Sequence, residues 1–70
     1  MITIAELRAR HNKMSQQKLA DEIGVSVDSV RRWEKNIYCI SAENLVKLCR
    51  YFNVSADELL GTNKKIFGMT

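Results

Sequence analysis

Apolar residues return along this chain in a fixed local arrangement. An apolar residue precedes a serine or threonine, and a second apolar residue follows that hydroxyl residue after three intervening positions. The pattern occurs at Ile2-Thr3 with Leu7, Met14-Ser15 with Leu19, and Val25-Ser26 with Val30. It occurs again at Ile40-Ser41 with Leu45 and at Val54-Ser55 with Leu59. A Ser or Thr at an N-cap accepts a bond from a backbone N–H that the helix leaves unpaired. The flanking apolar residues clasp one another across the first turn. Five such starts predict five helices, near 4–12, 16–23, 27–35, 42–52 and 56–60. Thr3 with Glu6 and Ser55 with Glu58 have the spacing of complete capping boxes.

Helix stops are written less uniformly. Gly24 and Gly61 follow the second and fifth helices and suit a left-handed residue just past a helix end. Asn36 and Asn53 follow the third and fourth, where Asn is the next most suitable residue. No segment alternates with period two over the length of a strand, and proline is absent. The expected fold is all-α, a compact five-helix bundle. Its predicted core is Ile4, Leu7, Leu19, Ala20, Ile23, Val25, Val30, Trp33, Leu45, Leu48, Cys49, Phe52, Val54, Leu59 and Leu60. Residues 1–61 form the expected domain, and 62–70, TNKKIFGMT, a C-terminal tail outside the helical plan.

Composition narrows the picture. Seventy residues that are 46% hydrophobic and 27% charged describe one small globular domain rather than a disordered chain. No membrane-length apolar run and no signal-peptide pattern occur, so a cytoplasmic protein is expected. The net charge of +3 permits an acidic partner without demanding one. Cys39 and Cys49 are too few for a disulfide framework or a metal site, and both are expected to be reduced. His11 has no Cys or carboxylate near it at ligand spacing and is expected to be exposed. Asp21/Glu22 and Asp57/Glu58 are adjacent pairs that diverge around their helices instead of converging as acid and base. Without a nucleophile–base pair, a phosphate loop or a metal constellation, an enzyme is not expected, nor any cofactor or metal.

The second and third helices, joined through Gly24-Val25-Ser26, have the form of a helix-turn-helix. The stretch MSQQKLADEIGVSVDSVRRWEKN, with SAENLVKLCRYFNVSADELLG beyond it, resembles the Cro and lambda-repressor-like (XRE-type) helix-turn-helix regulators over about residues 2–61. The resemblance implies binding to operator DNA, as a dimer, with the third helix in the major groove. It also implies a structural ion pair between Glu34 and an arginine of the first helix, matched here by Arg8 with Arg10 as the fallback. The segment from Leu7 to Ser15 is one residue longer than the common family spacing and lacks the usual turn glycine. The loop NIYCI lacks the basic residues often found there.

Stepping about 100° per residue, Val30 and Trp33 mark the buried side of the third helix. Arg31, Lys35, Asp28 and Arg32 lie opposite them. Charged faces are ordinary on any soluble helix. Here the preceding helix, the tight turn and the resemblance make this one a candidate DNA-reading face. Arg32 can donate two bonds to guanine O6 and N7, and Val27 can rest against a thymine methyl or simply be a partly covered first-turn valine. Asp28 either holds Arg31 and Arg32 at i+3 and i+4 or accepts from a cytosine N4. Arg31, Lys35, Ser29 and Asn36 are candidate phosphate contacts. So are Ser15, Gln16 and Gln17 at the start of the second helix, where free N–H groups favour an anion. Tyr38 either bonds phosphate or packs on the domain. Ile66 and Phe67 in the tail are candidate dimer contacts.

The expected function is that of a small bacterial or phage transcriptional regulator, a Cro-like repressor on a pseudo-palindromic operator. The short chain leaves no expected room for a ligand-sensing second domain. The alternative is a helix-turn-helix protein-interaction module, an antitoxin or accessory factor with weak or no DNA binding.

Overall fold

Each hydroxyl that the local pattern marks as an N-cap is one. In the computed structural model, which describes residues 1–61, Thr3, Ser15, Ser26, Ser41 and Ser55 are extended. Their side chains accept from the backbone N–H of Glu6, Lys18, Ser29, Asn44 and Glu58. Thr3/Glu6 and Ser55/Glu58 close both bonds of a capping box. The helices that follow are α1 (Ile4–Arg10), α2 (Gln16–Ile23), α3 (Val27–Lys35), α4 (Ala42–Phe52) and α5 (Ala56–Leu60). A single 3₁₀ turn, Ile37–Cys39, lies between α3 and α4, and the described residues contain no strand.

Both members of each of the apolar pairs that flank the caps lie in the core or pack against it. Leu19, Val30 and Leu48 are fully enclosed, and Leu59 is 1% exposed. Ile4, Leu7, Ala20, Ile23 and Trp33 complete the expected buried set. Val25, Leu45, Cys49, Phe52 and Val54, expected in the core, are only partly buried against it. Burial pushes the Cys49 thiol above its ordinary range, with the nearby Glu58 carboxylate adding to the effect. Two further positions correct the expected core. Met14 is buried, because the chain must turn inward there before Ser15 can start α2. Leu60 is half-buried, because a five-residue helix has one inward face and Leu59 fills it.

The stops differ more. Gly24 and Gly61 are left-handed, with φ of 76° and 70°, and Asn53 joins them at 56°. After Gly24 the Val25 N–H bonds the Ala20 carbonyl, and after Asn53 the Val54 N–H bonds that of Cys49. Each is the six-to-one bond of a Schellman closure. Asn36 corrects the expectation of a fourth left-handed stop. It is extended, and its side chain accepts from the Tyr38 N–H to start the 3₁₀ turn. That route carries Ile37 and Ile40 back over the core.

α1 ends at Arg10 rather than near 12. The longer connection to α2 is taken up by two consecutive left-handed residues, Asn12 at φ 61° and Lys13 at φ 54°. The Met14 N–H then closes onto the Arg8 carbonyl at 2.9 Å. α2 packs chiefly on α3, with α1 and the 3₁₀ turn against other sides of α3 and α4 between α2 and α5. The Ile2 N–H donates to the Glu58 carbonyl at 2.9 Å, which ties the start of the chain to α5. No helix among the described residues is long and apolar enough to cross a membrane.

Candidate nucleic-acid interface

α3 owes its orientation to one buried side and one ion pair. Val30 and Trp33 anchor it in the core. From its flank, Glu34 meets Arg8 of α1 through two bonds: Arg8 Nε to Oε2 at 2.7 Å and Arg8 Nη2 to Oε1 at 3.1 Å. Both side chains are mostly covered, at 19% and 15% exposure. Arg8, not Arg10, is therefore the partner. The same guanidinium donates from Nη1 to the Met14 carbonyl at 2.8 Å, which fixes the turn into α2. Gln16, the first residue of α2, donates its Nε2 to Glu34 Oε1 at 3.0 Å. One carboxylate thus joins α1, α2 and α3. Local sequence does not announce Gln16 or the Met14 carbonyl as partners; a mostly covered bidentate pair whose carboxylate keeps an unused lone pair is the signal that calls for a further donor.

The opposite face of α3 is open. Arg31, Arg32, Lys35 and Asp28 are exposed and line one shallow depression. Asp28 pairs with Arg31, Oδ1 to Nη1 at 3.0 Å, and not with Arg32. Among the described residues, no hydrogen bond or ion pair engages the side chain of Arg32 or of Lys35. The cationic groups of this face are therefore split: Arg31 is partly neutralised in place, while Arg32 and Lys35 are free to meet an anion or a base edge. Val27 is partly buried against the core and offers only part of its surface. The Ser29 hydroxyl lies 3.1 Å from that of Ser26, within the cap of the helix.

The N-terminal turn of α2 meets α3 through the Gln16–Glu34 bond. Ser15 caps it through the Lys18 N–H. Gln17 is exposed and donates its Nε2 to Asp21 at 2.9 Å, whereas Gln16 is turned toward Glu34. At the far end of α3, Asn36 spends its side-chain oxygen on the Tyr38 N–H. The Tyr38 hydroxyl donates to the Leu60 carbonyl, and the residue remains 64% exposed. The Cys39 thiol lies against the Arg32 carbonyl at 3.7 Å. His11 is exposed, as expected, with its ring 5.4 Å from that of Tyr51 and 5.6 Å from that of Phe52. Ile66 and Phe67 lie outside the described residues. No group of three or more His, Cys, Asp or Glu among the described residues could hold a metal.

A two-helix unit with a left-handed turn glycine, a buried anchor on its second helix and a cationic outer face defines a helix-turn-helix domain. The helix-turn-helix family pattern matches residues 4–59, and the chain belongs to that family. It is also 40% identical over 58 residues to the cryptic phage CTXphi transcriptional repressor RstR of Vibrio cholerae serotype O1 (strain ATCC 39315 / El Tor Inaba N16961). The match covers 83% of this chain and 51% of that protein, so the chain spans about half the length of its relative. No solved structure matches the chain.

Proposed function

We propose that this protein is a sequence-specific, double-stranded DNA-binding transcriptional regulator that lays α3 in the major groove. The observation that carries the reading is the pair of exposed, unpartnered cations Arg32 and Lys35 on a helix locked from behind by Arg8–Glu34. Arg32 has the planar fork that recognises guanine O6 and N7, and it is the principal base contact. Val27 and Asp28, in the first turn, are the other base contacts. Arg31, Lys35 and Ser29, with Ser15, Gln16 and Gln17 at the start of α2, meet phosphates. Asn36 and Tyr38 do so at the other end. Their internal bonds leave Gln16, Asn36 and Tyr38 with less to offer than Gln17 or Lys35.

Likeness to a phage repressor supports repression, and a phage or prophage setting, over activation. One recognition helix covers too little DNA for typical operator affinity. A homodimer is therefore part of the proposal, with two α3 helices about 34 Å apart on a pseudo-palindromic site. Ile66 and Phe67 are proposed contacts of that dimer. The protein acts in the cytoplasm, without cofactor or catalysis.

Titration of salt against binding to random duplex DNA tests this reading. Neutralising Z phosphates gives a slope of log K against log[salt] of about −0.9Z. A few phosphate contacts per protomer predict steep weakening between low and moderate salt. No binding at low salt would overturn the proposal in favour of a protein-interaction module, for which the apolar cleft lined by Met1, Ile2, Ala5, Ile37 and Tyr38 offers a surface.

A further inference from the structure

We infer that Asp28 selects a cytosine in the major groove and that Arg31 is its positioning residue; the inference rests on the proposed DNA-reading role of α3. Asp28 stands in the first turn of α3, 76% exposed, with Arg31 beside it at 57%. Arg31 engages one carboxylate oxygen only: Nη1 meets Oδ1 at 3.0 Å. Among the described residues nothing bonds Oδ2. The carboxylate is thus held at one oxygen and open at the other, on the same depression as the free Arg32.

A carboxylate accepts hydrogen bonds and cannot donate. In the major groove guanine presents two acceptors, and thymine an acceptor and a methyl. Adenine presents a donor beside the N7 acceptor, and cytosine an N4 donor alone. Cytosine is therefore the edge where Oδ2 gains an N4–H bond without facing another lone pair. At guanine or thymine the same charge faces acceptors without compensation, and at adenine its one N6–H bond comes beside the N7 lone pair, so Asp28 rejects the wrong sequences as much as it favours the right one.

Arg31 contributes by removing freedom from the carboxylate. Its i+3 placement biases the carboxylate toward one orientation before DNA arrives and offsets part of its charge against the backbone. Arg32, one residue on and unengaged, is left to read guanine independently. A carboxylate and a guanidinium on one helix face then specify a half-site that contains both a cytosine and a guanine on the edges they meet.

The test is selection of sites from a random duplex pool by the full chain and by Asp28→Ala, Arg31→Ala and Arg31→Lys. The unaltered protein is expected to enrich cytosine at one position per half-site. Asp28→Ala loses that preference, keeps the guanine preference, and binds random duplex a few-fold more tightly. Replacing the selected cytosine by N4-methylcytosine weakens the unaltered protein about tenfold, the size of one charge-assisted hydrogen bond, and leaves Asp28→Ala within about twofold. Arg31→Ala blunts the cytosine preference, and Arg31→Lys, which can still pair with Asp28, restores it.

A cytosine preference that survives Asp28→Ala, or equal tightening on selected and random duplexes, overturns the assignment of Asp28. Full cytosine preference in Arg31→Ala overturns the positioning role. An unaltered protein that enriches no sequence overturns the DNA-reading function itself, a result distinct from the other two.

Discussion

Arg8 and Glu34, 26 residues apart in the chain, share two hydrogen bonds that pin α3 to α1. A pair this covered adds little net stability over a well-packed apolar pair, yet removing one partner leaves a charge without its counterion. Glu34→Ala and Arg8→Ala are each expected to destabilise by about 2 kcal/mol. The double substitution should cost about 1 kcal/mol less than the sum of the two. Urea unfolding of the four proteins measures the coupling, and strict additivity would show that the two side chains act separately.

The link through Gln16 predicts a second effect. Gln16→Ala removes one donor from Glu34 but leaves the Arg8 bonds intact. Its expected cost is about 1 kcal/mol. Heteronuclear NMR should place the shift changes at the Glu34 backbone and the start of α2, not along the open face of α3.

The turn after α1 stores backbone strain at Asn12 and Lys13, both left-handed. A non-glycine residue there costs about 1–2 kcal/mol, against which glycine loses some chain entropy on folding. Lys13→Gly should therefore stabilise by about 0.5–1 kcal/mol. At Gly24 a Cβ would meet nothing within 4 Å, so Gly24→Ala carries the backbone cost alone and should destabilise by about 1 kcal/mol. Thermal unfolding of the two variants should move in opposite directions.

Glu6 is exposed, and the Thr3 backbone N–H bonded to its carboxylate holds it below the ordinary value of 4.5. A lowered folded value means the capping box stabilises fully above pH 4.5 and loses its effect as pH falls through that folded value. A carboxyl NMR titration should find Glu6 titrating below 4.5, and Glu6→Gln should remove this part of the acid dependence.

These variants also mark how much of the molecule could be read from the chain. Helix starts were legible because a cap and its two apolar neighbours are local: Thr3, Ser15, Ser26, Ser41 and Ser55 all sit where the pattern puts them. Stops that depend on glycine were legible too. The Asn12–Lys13 turn was not, since neither residue type announces two successive left-handed conformations. Asn36 departs from the expected left-handed stop because the path of Ile37 over the core, not the propensity of Asn, decides its conformation.

In the site, helical periodicity separated the Trp33 side of α3 from the Arg32 side. It could not decide whether Asp28 would pair at i+3 or i+4, because both spacings suit a guanidinium. No local pattern pairs Arg8 with Glu34; only the resemblance to a family implies that contact. Gln16–Glu34 and Tyr38–Leu60 bridge distant segments through side-chain rotamers, which no local pattern encodes.

In the proposed function, α3 reads bases through Arg32. The most direct test of that role is the affinity of Arg32→Ala for a selected site and for random duplex, measured side by side at one salt concentration. Loss of one bidentate guanine contact predicts a cost of about 1–3 kcal/mol on the selected site, relaxed preference at one base pair, and a much smaller change on random DNA. Equal weakening on both duplexes would make Arg32 a phosphate contact and overturn its base-reading role.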